Sequence, residues 1–426
     1  MKRYRALFSL LAIMALFMVA CGGSSSGGGS GKVTINWWHI STSDPLLTAW
    51  KNLANQYMQA HTNVTVKITV IENDPFKTKL NTAMQAGTPP DIFQSWGGGV
   101  LQQYAKAGLM KDISSDLKNG GWGDSFSPAA LNLYGYNGKY YGVPWDAGAV
   151  GFWYNKALFA KANITTPPAT WDEFLADIQK LKAANITPLA LGEGDKWPGA
   201  FYWEYLAVRL GGKAAFDKAY SRSGGAFTDP TFVQAGVYLQ QLVALKPFQN
   251  GFLAAKYDQD HRPTMGNGKA AMELMGQWAP GADKAVAADK KGPDFGFFPF
   301  PTLPNEQGNP TDVLGGGNGF GIGKNAPPEA VDFVRFLTSA DNQRALAKTG
   351  SLLPTVKGAQ DGVTDPNLQA VAQLVANAPY YQLYYDQFMT PAVGTAVNDQ
   401  TQGLFAGSAT PQAAASAIDA AAASGG

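Results

Sequence analysis

Apolar and polar residues alternate from Val33 through Ile35 to Trp37, the period of a strand with one buried face. Asp44-Pro45 then opens a stretch reaching about Ala60. In it Leu46, Trp50, Leu53, Tyr57 and Met58 recur near helical spacing. Alternation returns from Val64 to Ile71. Phe76 to Ala86 reads as a helix with Gly87 as its stop, and Asp91-Ile92-Phe93 reads as a short buried strand after Pro89-Pro90. Val100 to Ala107 predicts a further helix. The order strand, helix, strand, helix, strand implies a mostly parallel sheet with helices on its faces.

The segment Gly138–Phe174 organises the middle of the chain. It follows a turn at Asn137-Gly138 and runs apolar through Tyr140, Val143 and Trp145, with Pro144 interposed. Proline cannot donate to a sheet ladder and is excluded from central strands. A second apolar run, Ala149–Tyr154, follows. The pattern predicts a strand leaving one sheet and another entering a second, with Val143–Asp146 as the crossover. Pro167-Pro168 end a loop, and Thr170 with Glu173 three residues on forms a capping box. Beyond it the pattern predicts a helix Phe174–Ala184, a strand Leu189–Leu191, helices Ala200–Leu210 and Thr231–Leu245, and a strand Lys269–Leu274. Gly315–Gly319 reads as a glycine turn before a strand Phe320–Ile322. Pro328–Ala347 reads as one helix. The tail is Ala-rich and helical, with an aromatic cluster at Tyr380–Asp386.

The N-terminus has a different character. Lys2, Arg3 and Arg5 precede an apolar run Ala6–Ala20 too short to span a bilayer as a mature helix, so 1–20 reads as a signal peptide. Met18-Val19-Ala20-Cys21 resembles the lipobox of bacterial lipoproteins, which makes Cys21 the lipidation site. Cys21 is the only cysteine, so no intramolecular disulfide forms. Gly and Ser alone fill 22–31, a flexible tether reaching about 15–20 Å. At 426 residues the chain can hold two domains, and its formal charge of +1 gives nucleic acid no footing.

Several stretches together carry a family resemblance: NGKYYGVPWD (137–146), WYNKALFAKANI (153–164) and TPPATWDEFLADIQKLKAANITPLAL (166–191). AMQAGTPPDIFQSW (83–96), AAMELMGQWAP (270–280) and FVRFLTSADNQRALAKTGSLLP (333–354) extend it over nearly the whole mature chain. The sequence resembles the extracellular solute-binding proteins of sugar-importing ABC transporters. The resemblance implies an α/β, two-lobe, type II periplasmic-binding-protein-like fold, each lobe a central sheet flanked by helices and joined by crossover hinges. It places the N-terminal lobe at 32–144 and 301–342 and the C-terminal lobe at 145–300 and 343–426. It puts a second crossover at Asp294–Pro301 and a third within or after the 328–347 helix, closed by Leu352-Leu353-Pro354. It also implies a monomer held outside the cytoplasm, at the outer face of the cytoplasmic membrane or in a periplasm, a permease partner, hinge closure on a carbohydrate ligand, and no cofactor.

In open α/β sheets ligands sit beyond the carboxyl ends of the strands. That rule selects Trp38, His39 and Ile40-Ser41 after the first strand, with Trp37 continuing the core face. After the second it selects Asp74, which with Asn73 can instead cap the following helix. After the third it selects Ser95 and Trp96. Trp145 and Asp146 face the cleft if the crossover is at 143–146. Asp195 and Trp197 follow the strand at 189–191, and Gln277 and Trp278 match the family's cleft position. Gly317, Asn318, Tyr384 and Asp386 complete the candidate set. Trp153 and Trp203 read as core.

These residue types suit a sugar. Trp offers a flat face to ring C–H groups, and Asp, Asn and Gln bond the hydroxyl rim. Stacking one ring hides roughly 50–80 Å² of apolar surface, worth about 1–2 kcal/mol. Association costs roughly 4–15 kcal/mol, so hydrogen bonds and lobe closure must supply much of the affinity. Several Trp candidates point to a di- or oligosaccharide, of xylo- or gluco-type. Two other classes stand beside this reading. A glycoside hydrolase would use Asp146 with Asp195 or Glu193, but no G-x-S-x-G, H-E-x-x-H or Walker loop is present. A ferric-ion binder would draw on the tyrosines at 380–385, although the three histidines lack ligand spacing.

Overall fold

Two separate sheets organise the protein. The computed structural model describes residues 31–424; the expected signal peptide, the expected lipidation site Cys21 and the expected tether up to Ser30 lie outside the described residues. The strands are β1 (Val33–His39), β2 (Val64–Val70), β3 (Ile92–Ser95), β4 (Gly135–Tyr136), β5 (Lys139–Tyr140) and β6 (Gly142–Ala149). There follow β7 (Gly151–Asn155), β8 (Thr187–Leu189), β9 (Ala270–Met275), β10 (Phe295–Phe298), β11 (Val313–Ile322) and β12 (Tyr381–Leu383). The first sheet has six strands in the order β12-β11-β3-β1-β2, with β6 also paired to β11. The second has four, in the order β10-β7-β9-β8. β4 and β5 form a separate hairpin.

The expected strand–helix alternation is present: β1 runs parallel to both β2 and β3, with helices Leu46–Ala60, Asn73–Gln85 and Gly98–Lys106 between and after them. Trp37 is fully buried, with Trp50 at 5.6 Å and Phe333 at 5.5 Å between ring centroids, so the Val33–Ile35–Trp37 face is core as the alternation requires. In the second lobe Phe300 stacks on Tyr205 at 4.6 Å and Phe152 packs on Phe174 at 4.7 Å. Trp153 and Trp203 are buried there. The Thr170–Glu173 capping box is formed and starts the Trp171–Ala183 helix.

Four expectations about elements need correction. β6 stays paired with β11 through Ala149 and β7 begins at Gly151, so the chain changes sheets at Val150 and not at 143–146. Pro144 is tolerated because β6 pairs with β11 alone, at a point where the register shifts beside Gly319. Gly315–Gly319 is extended strand within β11 rather than a turn. Its lack of side chains serves packing: a Cβ on Gly316 would stand 2.1 Å from the Tyr384 ring. The expected 328–347 helix breaks into Pro328–Leu337 and Ala340–Ala347, with Ser339 accepting from the Asn342 N–H. Finally, β12, expected in the C-terminal lobe, pairs with β11 at 313–315 in the first sheet. Short β3 reaches only 319–322 of β11 and leaves that edge open to it.

The connection from β10 to β11 is clamped. Buried Arg209, on the Trp197–Ser221 helix, donates to the Phe300 carbonyl at 3.0 Å and the Asp312 carbonyl at 2.6 Å. These bonds hold both ends of the segment that returns the chain from the second sheet to the first.

Candidate ligand-binding site

The carboxyl ends of β1 and β3 point at the second sheet across a cleft of about 970 Å³, counting the part open to solvent. Its walls are aromatic. Trp96 and Trp145 lie on the first-sheet side with Tyr384, and Trp197, Phe201, Tyr257 and Trp278 lie opposite. Each ring is held by a neighbour. Trp96 meets the edge of Phe76 at 6.0 Å, and Trp145 meets Trp50 at 5.2 Å. Trp197 meets Tyr257 at 4.9 Å, and Tyr384 meets Phe201 at 5.0 Å. Trp278 Nε1 donates to the Tyr257 hydroxyl at 3.0 Å.

Polar groups interrupt these walls. Asn73 Oδ1, Trp145 Nε1, Trp197 Nε1, Arg262 Nε, Ser351 Oγ and Tyr384 Oη are buried atoms of lining residues with no protein partner. Unpaired buried polar atoms are costly, and a ligand rich in hydroxyls satisfies them. The charges of the cleft are answered internally. Lys77 Nζ lies 2.7 Å from Asp386 and Arg262 lies 2.7 Å from Asp258. Asp44 accepts from the Thr48 N–H at 3.1 Å.

Behind the aromatic wall Asp146 ties several segments together. It accepts from Gln277 Nε2 at 2.6 Å, Asn318 Nδ2 at 2.8 Å and the Leu353 N–H at 2.8 Å. Asn318 in turn accepts from Gln94 at 2.7 Å. Burial pushes the Asp146 carboxyl up to about 7, partly offset by these donors. Of the chain Gln94–Asn318–Asp146–Gln277, only Asn318 lines the cleft. Asp146 and Gln277, expected as ligand contacts, are fully buried supports instead.

The other expected residues divide. Trp96, Trp145, Trp197, Trp278, Asn318, Tyr384 and Asp386 come together in the cleft. Asp74, Ser95 and Asp195 border an adjoining cavity. There Ser95 accepts from the Gly97 N–H, and Asp195 accepts from Lys256 and the Tyr257 N–H. Trp38 stands outside the cleft beneath Lys79 Nζ, 4.6 Å from the ring centroid, because it leaves β1 on the face opposite Trp37. His39 is buried against Trp37 and accepts from the Ser41 N–H; burial, with nearby Lys51, pulls its imidazole down to about 4. Gly317 is paired within the sheet with Ala147.

Several lining residues escaped sequence reading. Thr42 and Ser43 follow β1 just beyond Ser41, the last residue selected there, and Asp258 and Arg262 come from the opposite lobe. They meet across the cleft. Thr42 Oγ1 donates to Asp258 at 3.1 Å, and Arg262 donates to Ser43 Oγ. Gln259 donates to Glu72 beside them. Tyr257–His261 forms a π-helical turn, a form frequent at functional sites. Its one readable sign was the four-residue spacing of Asp258 and Arg262.

The family model described as bacterial extracellular solute-binding protein matches residues 41–344. The chain belongs to this family. It is also 30% identical over 275 residues to an uncharacterised ABC transporter extracellular-binding protein of Pyrococcus horikoshii. That match covers 62% of this chain and 59% of the relative, so it spans less than two thirds of the relative's length. Among solved structures, a protein studied for xylan utilisation by Caldanaerobius polysaccharolyticus is similar at 30% identity with a TM-score of 0.85, covering 91% of this chain and 99% of that one. A chitin oligosaccharide binding protein is similar at 28% identity with a TM-score of 0.84, covering 93% and 99%. The two-lobe solute-binding fold expected from the sequence is therefore the fold of this chain.

The tyrosines that a ferric-ion binder would draw on do not gather at the cleft. Of the clustered tyrosines only Tyr384 reaches the cleft; Tyr381 donates to the Gly148 carbonyl at 2.8 Å and Tyr385 is buried in the core. Among the described residues no three His, Cys, Asp or Glu side chains come together to hold a metal ion.

Proposed function

We propose that this solute-binding protein captures a neutral di- or oligosaccharide between its lobes and delivers it to a membrane permease; it is a carrier, not an enzyme. One observation carries the reading: in the same cleft, stacked aromatic walls meet unpartnered polar atoms while the charged side chains pair with one another. Rings with apolar faces and hydroxyl rims match the first two features. The internal pairing leaves no spare cation for an acidic sugar or a carboxylate ligand. The relatives associated with xylan and with chitin oligosaccharides support the same class.

The reading extends to the rest of the chain. Residues 1–20 direct export, Cys21 carries the lipid, and 22–31 tether a monomeric domain to the outer face of a membrane. No helix among the described residues is long and apolar enough to cross a membrane. The first lobe takes residues 32–149 with the β11 and β12 segments, and the second takes 151–298, the crossings lying at Val150 and between β10 and β11. Ligand contacts on both lobes exist together only when the cleft is closed, so ligand shifts the hinge equilibrium toward closure.

A thermal-shift screen of residues 32–426 against mono- and oligosaccharides, with ferric citrate as a control, tests the class. A ligand at one hundred times its Kd stabilises by about 2.7 kcal/mol. A shift with one sugar series supports the reading. A shift with iron alone, or none with any sugar, overturns it.

A further inference from the structure

We propose that the Lys77–Asp386 ion pair is a chain-length gate: it closes one end of the ligand cleft, and parting it admits further sugar units into a second cavity. The proposal rests on the saccharide reading above.

The second cavity measures about 1310 Å³, counting its open part, and adjoins the first. Lys77, Trp96, Asp386 and Gln387 border both. Lys77 comes from the Asn73–Gln85 helix, and Asp386 from the Tyr385–Phe388 turn that follows β12. Their 2.7 Å contact therefore joins two elements across the boundary between the cavities. The Lys77 ammonium also sits 5.5 Å from the centre of the Trp96 ring. The ion pair thus reaches over the Trp96 ring at the boundary of the two cavities.

The space beyond the pair continues the chemistry of the cleft. Asn81, Asp195 and Asn398 border it with planar amide and carboxylate groups. Asn398 Nδ2 reaches Asp386 at 3.4 Å, while its Oδ1 is buried without a partner. One oxygen of Asp386, Oδ2, thus accepts from both Lys77 and Asn398 at the boundary of the two cavities. A sugar hydroxyl arriving from the inner side can take the place of either contact.

The pair is built to part. The Lys77 side chain keeps 28% of its exposure and that of Asp386 11%, so both groups can be rehydrated when separated. A lysine carries its charge on a flexible four-carbon stem and can swing aside without moving the helix. A ligand short enough to end over Trp96 leaves the pair intact. A longer one must displace it, so each added unit strengthens binding until the pair is reached and then ceases to.

The test is calorimetric binding of the full-length protein to xylo- and gluco-oligosaccharides of one to six units. Wild type is compared with Lys77→Gln, Asp386→Asn and Lys77→Arg. The readout is the ratio of Kd between consecutive lengths within each protein, so a general weakening cancels. Wild type should reach a plateau. Lys77→Gln and Asp386→Asn should move it one or two units longer, with at least a fivefold gain between the last lengths, and Lys77→Arg should keep the wild-type profile. The two charge-removing variants lie on different elements, so a folding defect in one, seen by melting, leaves the other to decide. An unchanged plateau in the folded variants overturns the gate while leaving saccharide binding in place. Failure of wild type to bind any saccharide overturns both, and that is read on wild type alone.

Discussion

Gln277, just beyond the end of β9 in the second sheet, donates its side-chain amide at 2.6 Å to Asp146 of β6 in the first. Asn318 and the Leu353 N–H converge on the same carboxylate, so one buried group joins the β6, β9, β11 and 351–354 segments. The expected consequence of Asp146→Ala is three donors without an acceptor, those of Gln277 and Leu353 buried. At about 1–3 kcal/mol for each unsatisfied group, the loss should be roughly 3 kcal/mol or more. Urea unfolding measures it, and an unchanged midpoint would contradict the role assigned here.

The same group makes stability depend on pH. Burial raises the folded-state value of Asp146 from 3.8 to about 7. The folded chain therefore holds a proton that the unfolded chain releases near pH 4. The contribution of Asp146 to stability is greatest below that pH, falls as pH rises to about 7, and is then flat. The shift corresponds to a loss of at most about 4 kcal/mol. Comparing wild type with Asp146→Asn isolates it from other titrating groups. Between pH 4 and 8 wild type should lose stability relative to the variant; a constant difference would refute the assignment.

Trp278→Ala and Trp96→Ala should each weaken saccharide binding about tenfold, the loss of one stacking surface worth about 1–2 kcal/mol. Trp38→Ala should leave affinity as it is, since that ring lies under Lys79 outside the cleft. Calorimetry on the three variants decides. Equal losses in all three would mean that the cleft has been misplaced.

Gly276 offers an independent check on Trp278. A Cβ at this position would lie 2.0 Å from the indole ring. Gly276→Ala should therefore displace the ring and cost about as much affinity as removing it. The double variant should bind no worse than either single one, because both changes remove the same contact. Additive losses would show that Gly276 acts elsewhere.

Arg262→Ala should loosen the closed arrangement. It removes the contacts to Asp258 and Ser43 and leaves Thr42–Asp258 and Glu72–Gln259 across the cleft. Without ligand, solution scattering should give a larger radius of gyration than for wild type, and affinity should fall at least tenfold. An identical scattering curve would show that these bonds do not hold the lobes.

Much of this arrangement was legible before folding. Val33, Ile35 and Trp37 announced a strand with one buried face, and Thr170 with Glu173 announced a helix start. Both follow from residues close together along the chain. The rule that ligands gather beyond strand ends led to Trp96, because β3 is short and its exit is marked by Ser95-Trp96. For β1 it reached Ser41 but stopped short of Thr42 and Ser43, which line the cleft beside it. The last residues of a strand still alternate between its faces, and only the loop beyond turns toward the opposite lobe.

Local pattern thus determined the element types, the family and the aromatic character of the site. Tertiary structure decided which polar atoms remain free to meet a ligand. Asp146 reads in the sequence as a contact at a crossover, yet its oxygens are taken by Gln277, Asn318 and Leu353 from distant parts of the chain. Gly315–Gly319 reads as a turn, yet Tyr384 packs over Gly316 and the run is extended strand. Asp258 and Arg262 show only their mutual spacing, yet they meet Thr42 and Ser43 across the cleft. Periodicity reports the face a residue shares with its neighbours in sequence. Hydrogen-bond satisfaction depends on partners brought near only when the two sheets face each other.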